Sequence, residues 1–119
     1  MTTSEVAKGL AELCRKGLLH EAIETYYADD IVSVEGEGGP PPVAGLPAIL
    51  EKTKWWEENM DTHGIEVVET YVNGDQFMLA FKVDFTEKAS GKQQVTDEIG
   101  LYTVRDSKIA EERFFFTIQ

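Results

Sequence analysis

Phe77, Leu79, Phe81, Val83 and Phe85 occupy every second position. That is the two-residue repeat of a strand with one buried face, not the 3.6-residue repeat of a helix. Three more strand-like runs surround it, Ile65 to Val72, Gln94 to Val104 and Ile109 to Ile118. Short turn signals at Asn73-Gly74, Ser90-Gly91-Lys92 and Asp106-Ser107 separate them, so the pattern predicts successive antiparallel strands. A meander with one wholly apolar face needs a cover, which the N-terminal half must supply.

That half reads as helical. Ser4 is a candidate N-cap for a first helix, and Val6, Leu10, Leu13 and Cys14 mark its apolar stripe. Gly17 ends it after Arg15 and Lys16. A second helix follows from about Leu19 to Tyr27, with Ala22, Ile23 and Tyr26 on one side, so the two form a hairpin able to lie across a sheet. Asp29-Asp30 stop it, and Ile31 to Val34 make a short strand leading to Glu35.

The run from Gly36 to Pro42 holds too much glycine and proline for a helix or central strand. It is a loop, either a plain connector or the rim of a pocket. Gly45 to Met60 forms the third helix, with Pro47 in its first turn and Ile49, Leu50, Thr53, Trp56 and Met60 on the buried side. Trp55 and Trp56 point about 100° apart on a helix, so one meets the sheet while the other lies near a rim or interface. His63 and Gly64 mark the turn into the sheet. The order of elements predicts an α+β fold, helices on one face of a bent antiparallel sheet.

Composition narrows the partners. The 119 residues fit one domain, residues 1–119, with 42% hydrophobic and 28% charged residues as in an ordinary globular protein. Acidic residues number 22 against 11 basic, a formal charge of −11 spread along the chain, which argues against nucleic acid and anionic membrane as partners. Cys14 is the single cysteine, so neither an intrachain disulfide nor a thiolate metal cage is available, and its leucine neighbours mark it as a core residue. No signal-peptide pattern and no apolar run of about 18 residues occurs, so a soluble cytoplasmic protein is expected. His20 and His63 show no metal-ligand spacing, and the glycines near 36–39 run into prolines instead of a phosphate-binding helix, so no metal and no cofactor is expected.

Three segments carry a resemblance to a known family. They are Tyr27 to Glu35 (YADDIVSVE) after a helical hairpin, Gly45 to Ile49 (GLPAI) opening the third helix, and Tyr102 to Ile109 (YTVRDSKI) joining the last two strands. With the order of elements, they resemble the SnoaL-like and ketosteroid-isomerase-like proteins of the nuclear-transport-factor-2-like superfamily. The resemblance implies a cone-shaped curved antiparallel sheet wrapped around three N-terminal helices, with a pocket between them. It also implies dimerisation through the outer sheet face. In ketosteroid isomerases a carboxylate base follows the helical hairpin, and the match places Glu35 there. The family's second acid, on the strand before the last turn, falls on Gly100, and Glu98 is the nearest carboxylate on that face. The family's tyrosine on helix one has no counterpart around Leu10, which argues against steroid isomerisation itself.

The site candidates follow. With Thr96, Glu98, Gly100 and Tyr102 facing the concave side, Glu98 enters an aromatic cavity whose low polarity favours the neutral acid and fits it for proton transfer. Otherwise Glu98 is exposed at an edge or paired with Arg113. Glu35 is either a base for a carbon-bound proton or a solvated loop acid. Arg113 points inward, to bind a substrate carboxylate or hold Glu98, or outward as a surface charge. Tyr26, Trp56 and Tyr102 either line a pocket for a small apolar molecule or fill the core. Phe114, Phe115 and Phe116 in succession require cover on both faces of the last strand, which predicts a homodimer. Two functions fit: an isomerase, cyclase or dehydratase using Glu98 and Glu35 without a cofactor, or a non-catalytic ligand-binding or dimerisation module.

Overall fold

The computed structural model describes residues 1–36 and 39–118, with backbone alone at residues 117 and 118. Glu37 and Gly38, in the expected Gly36–Pro42 loop, lie outside the described residues. Helices α1 (Thr3–Arg15) and α2 (Leu19–Tyr26) are followed by strands β1 (Tyr27–Val34) and β2 (Val43–Ala44), then helix α3 (Leu46–Asn59). Strands β3 (Met60–Asn73), β4 (Gln76–Glu87), β5 (Lys92–Arg105) and β6 (Lys108–Ile118) complete the chain. The sheet order is β2-β1-β6-β5-β4-β3.

The expected α+β architecture is present, with one refinement. The sheet is mixed rather than wholly antiparallel, because β1 lies parallel to β6 while β3 to β6 form the antiparallel meander. Parallel neighbours cannot be joined by a tight turn, and here α3 and the meander supply the long connection from β1 to β6.

The α1 cap sits at Thr2, two residues before the expected Ser4. The Glu5 amide donates to Thr2 Oγ1 at 3.1 Å and the Thr2 amide to Glu5 Oε1 at 3.1 Å. Glu5 stands three residues after Thr2, so only that cap completes the reciprocal pair. Gly17, at φ 73°, closes the helix and lets the Leu18 amide reach the Leu13 carbonyl at 2.9 Å.

Strand β1 begins at Tyr27, four residues before the expected Ile31. Its pairing with β6 shifts register between Tyr27 and Val32, and Asp29 and Asp30 occupy this irregular, exposed stretch. Asp30 accepts from Arg105 of β5 at 2.9 Å. His63 and Gly64 lie inside β3, which follows α3 directly at Met60, and a bulge between Thr62 and Gly64 replaces the expected turn. Bulges bend a strand and increase its twist.

Phe77, Leu79, Phe81, Val83 and Phe85 are all buried on the concave face. Val6, Leu10, Ile23 and Ile49 of the three helices complete one core with them. Burial of each such side chain is worth roughly 1.5–3 kcal/mol. The convex face exposes Tyr71, Ile99 and Phe115, the last two directly opposite each other on β5 and β6. No described helix is long and apolar enough to cross a membrane.

Candidate functional site

Between the helices and β4 to β6 lies a cavity of about 430 Å³ with a mostly apolar lining. Its floor follows from cross-strand register. Residues paired across a sheet share a face, so Glu98 opposite Phe116, Gly100 opposite Phe114 and Tyr102 opposite Glu112 all turn inward. Asp97 turns outward and pairs with Lys82.

Glu98 carries the most unusual carboxyl. Burial pushes it up to about 7, the Glu35 charge adds to the rise, Lys52 opposes it, and Glu112 raises it further. It makes no hydrogen bond or ion pair with another described residue. Glu112, 3% exposed, is also raised by burial, but its carboxyl accepts from the Tyr27 hydroxyl, which pulls the other way.

The charged wall is built by β1 and α3. Lys52 forms an ion pair with Glu35, donates to Ser33 Oγ at 2.9 Å and stands 5.3 Å from the centroid of the Phe114 ring. On the aromatic side, Trp56 meets Phe85 edge-on at 4.9 Å and its Nε1 donates to Thr62 Oγ1 at 2.9 Å. Trp55, 56% exposed, stands at the rim with Pro40. The two tryptophans thus divide as their helical spacing requires. Cys14 also borders the cavity, and burial pushes its thiol up to about 12, so it stays protonated as a small core residue.

Of the residues expected at the site, Glu98, Glu35, Trp56 and Tyr102 come together around the cavity. Tyr26 and Arg113 do not line it. The Tyr26 hydroxyl packs so closely on Gly9 that a Cβ there would lie 1.8 Å away. Helix α2 ends at Tyr26, and the change to extended backbone sends Tyr27 into the cavity instead. Arg113 faces outward and pairs with Glu111. The cause is a register shift: Val104 pairs with Ile109 but Thr103 with Glu111, so Ala110 is an extra residue in β6. A one-residue slip exchanges the faces of everything beyond it, which turns Arg113 out and Glu112 in.

Glu112, Tyr27 and Lys52 were not singled out from the sequence. Glu112 shares its two-residue phase with Phe114 and Phe116, and Lys52 follows Ile49 by three residues and precedes Trp56 by four, the spacing of the buried side of α3. Among the described residues no three His, Cys, Asp or Glu side chains are grouped to hold a metal ion.

Residues 1–116 match the family model for the SnoaL-like domain. The chain belongs to the SnoaL-like family. A crystal structure from Mesorhizobium loti, of a protein named as a SnoaL-like polyketide cyclase, is 49% identical over 97% of this chain and 99% of that one, with a TM-score of 0.91. A protein named as an isomerase from Bacillus subtilis shares 17% identity over 98% of this chain and 90% of that one, with a TM-score of 0.80. A protein from Catenulispora acidiphila with a ketosteroid isomerase-like fold, solved with trimethylamine, shares 17% over 98% and 88%, with a TM-score of 0.79. The latter two, at such identities, share the fold. No curated protein matches the sequence of this chain. The carboxylate after the helical hairpin is Glu35, engaged by Lys52, while Glu98 has no hydrogen-bond or ion-pair partner among the described residues.

Proposed function

We propose that this SnoaL-like protein binds a small apolar carbonyl compound and moves a proton on it without a cofactor, as an isomerase or cyclase does. Glu98 is the acid and base. The observation that carries this reading is a carboxyl that burial raises to about 7, without a hydrogen-bond or ion-pair partner among the described residues, at the floor of an apolar cavity of about 430 Å³. A carboxyl raised toward neutral pH in this way can both take and return a proton. Glu35 acts electrostatically, because its charge helps hold Glu98 up while Lys52 holds Glu35 in place. In this reading the exposed Ile99–Phe115 surface is the contact between two copies of the chain.

The test is exchange of the hydrogens next to the carbonyl in D2O, followed by NMR for a panel of apolar cyclic ketones and 1,3-diketones. Wild-type protein should catalyse exchange in at least one member and Glu98→Gln in none, with both folded by circular dichroism. Exchange surviving in Glu98→Gln removes the assigned role. Binding without exchange leaves the non-catalytic ligand carrier as the function.

A further inference from the structure

The Tyr102 ring lies flat on the floor of the cavity over residue 100. A Cβ at Gly100 would stand 2.7 Å from the Tyr102 hydroxyl, 2.7 Å from Cε2 and 2.9 Å from Cζ, closer than real contacts allow. The ring therefore occupies the space that any side chain at position 100 would need. It is fixed from two directions, stacked on Phe77 at 4.7 Å and met edge-on by Phe114 at 6.1 Å. Tyr102 is 2% exposed, yet its hydroxyl has no hydrogen-bond partner among the described residues. Among the described residues no buried side-chain nitrogen or oxygen lacks a partner, so this hydroxyl is not sealed in the core but opens onto the cavity. This hydroxyl ends over Gly100, and Glu98 is the next residue along the same face of β5.

We propose that the Tyr102 hydroxyl is the cavity's donor to the oxygen of the ligand, and that residue 100 is glycine to leave the phenol that place. The proposal rests on the reading of Glu98 above and deepens it by fixing which part of the ligand lies where. The carbonyl oxygen accepts from Tyr102, and the neighbouring carbon presents its hydrogen to Glu98. The C–H bond breaks, its proton goes to the Glu98 carboxylate, and its electron pair forms the C=C bond of an enolate whose oxygen Tyr102 stabilises. Return of the proton from Glu98 to another carbon completes an isomerisation. The phenol keeps its proton throughout, since burial and the nearby Glu112 raise Tyr102 well above the usual range. Other hydroxyls at the cavity serve differently. Tyr27 donates to Glu112, and Thr96 lies on the far side of Glu98, without the ring packing that fixes Tyr102.

The experiment compares two ligands that differ in one atom. Titrations of 4-tert-butylcyclohexanone and its exocyclic methylene analogue, read by the fluorescence of Trp55 and Trp56, give the worth of the ligand oxygen. Wild-type protein should prefer the ketone by about 5- to 10-fold, the size of a typical hydrogen bond. Tyr102→Phe should abolish that preference, leave the affinity for the methylene compound unchanged and unfold at the same temperature, because its hydroxyl bonds to none of the described residues. Gly100→Ala should reduce the preference, and Thr96→Val should retain it. A preference that persists in Tyr102→Phe, or that is lost in Thr96→Val alone, overturns the proposal. Equal affinity of wild-type protein for the two compounds overturns it while leaving the apolar pocket intact; binding of neither overturns this proposal and the proposed function together.

Discussion

Lys52 and Glu35 form an ion pair on the wall of the cavity, and the two charges act on Glu98 in opposite directions. A salt bridge removed from Glu98 itself thus tunes the carboxyl without engaging it. Exchanging either partner separates their effects.

Lys52→Met should raise the Glu98 titration above its value of about 7, because the cation that favours the ionised form is gone. Glu35→Gln should lower it, by removing a like charge. Carbonyl-carbon NMR of Glu98 across pH 4 to 10 reads both shifts. Movement in the same direction for both variants contradicts the electrostatic role given to the pair.

Stability should carry the same signature. Glu98 binds its proton more tightly in the folded chain than at the ordinary value of 4.5, so between that pH and about 7 the folded state holds more protons than the unfolded one. Its contribution to stability is therefore full below pH 4.5 and lost as pH rises through 7. Glu98→Gln has no charge to bury, so it should match wild type near pH 4.5 and exceed it at pH 8, by about 2–3 kcal/mol once partial solvent access is allowed for. Urea unfolding at the two pH values measures this, and a pH-independent difference counts against the buried acid.

Tyr27→Phe should remove the hydroxyl that donates to buried Glu112. Leaving that carboxyl short of a donor costs about 1–3 kcal/mol. The urea midpoint should fall while the cavity keeps its shape. An unchanged midpoint would mean that the Ser33 hydroxyl, which also bonds to Glu112, suffices for it.

On the convex face, Phe115 tests the pairing of two copies, whereas Phe116 does not, because Phe116 also lines the cavity. Phe115→Ala should shift sedimentation at low concentration toward a single chain. A wild-type protein that sediments as a single chain at all concentrations ends the dimer proposal.

Local pattern carried much of the fold. The alternation from Phe77 to Phe85 placed β4 with the correct inward face, whereas the phase of Thr96, Glu98 and Tyr102 left Glu98 open between the cavity and an exposed edge until the register with β6 turned it inward. The Thr2 cap was missed because Ser4 offers the same chemistry two residues later, and only the reciprocal bond from Glu5 separates them. Arg113 was open between two faces for a different reason. Phase counted from Ile109 turns it inward, and the extra residue at Ala110 reverses that phase.

The sequence by itself determined the element types, the apolar sheet face and the candidacy of Glu98, because side-chain period and burial preference act within a few neighbouring residues. Only the tertiary structure decided that β1 lies beside β6, that Glu112 and Tyr27 meet inside the cavity, and that Lys52 reaches Glu35. Those contacts join residues 17 to 85 positions apart, and they depend on register and on bulges that leave no local periodic mark.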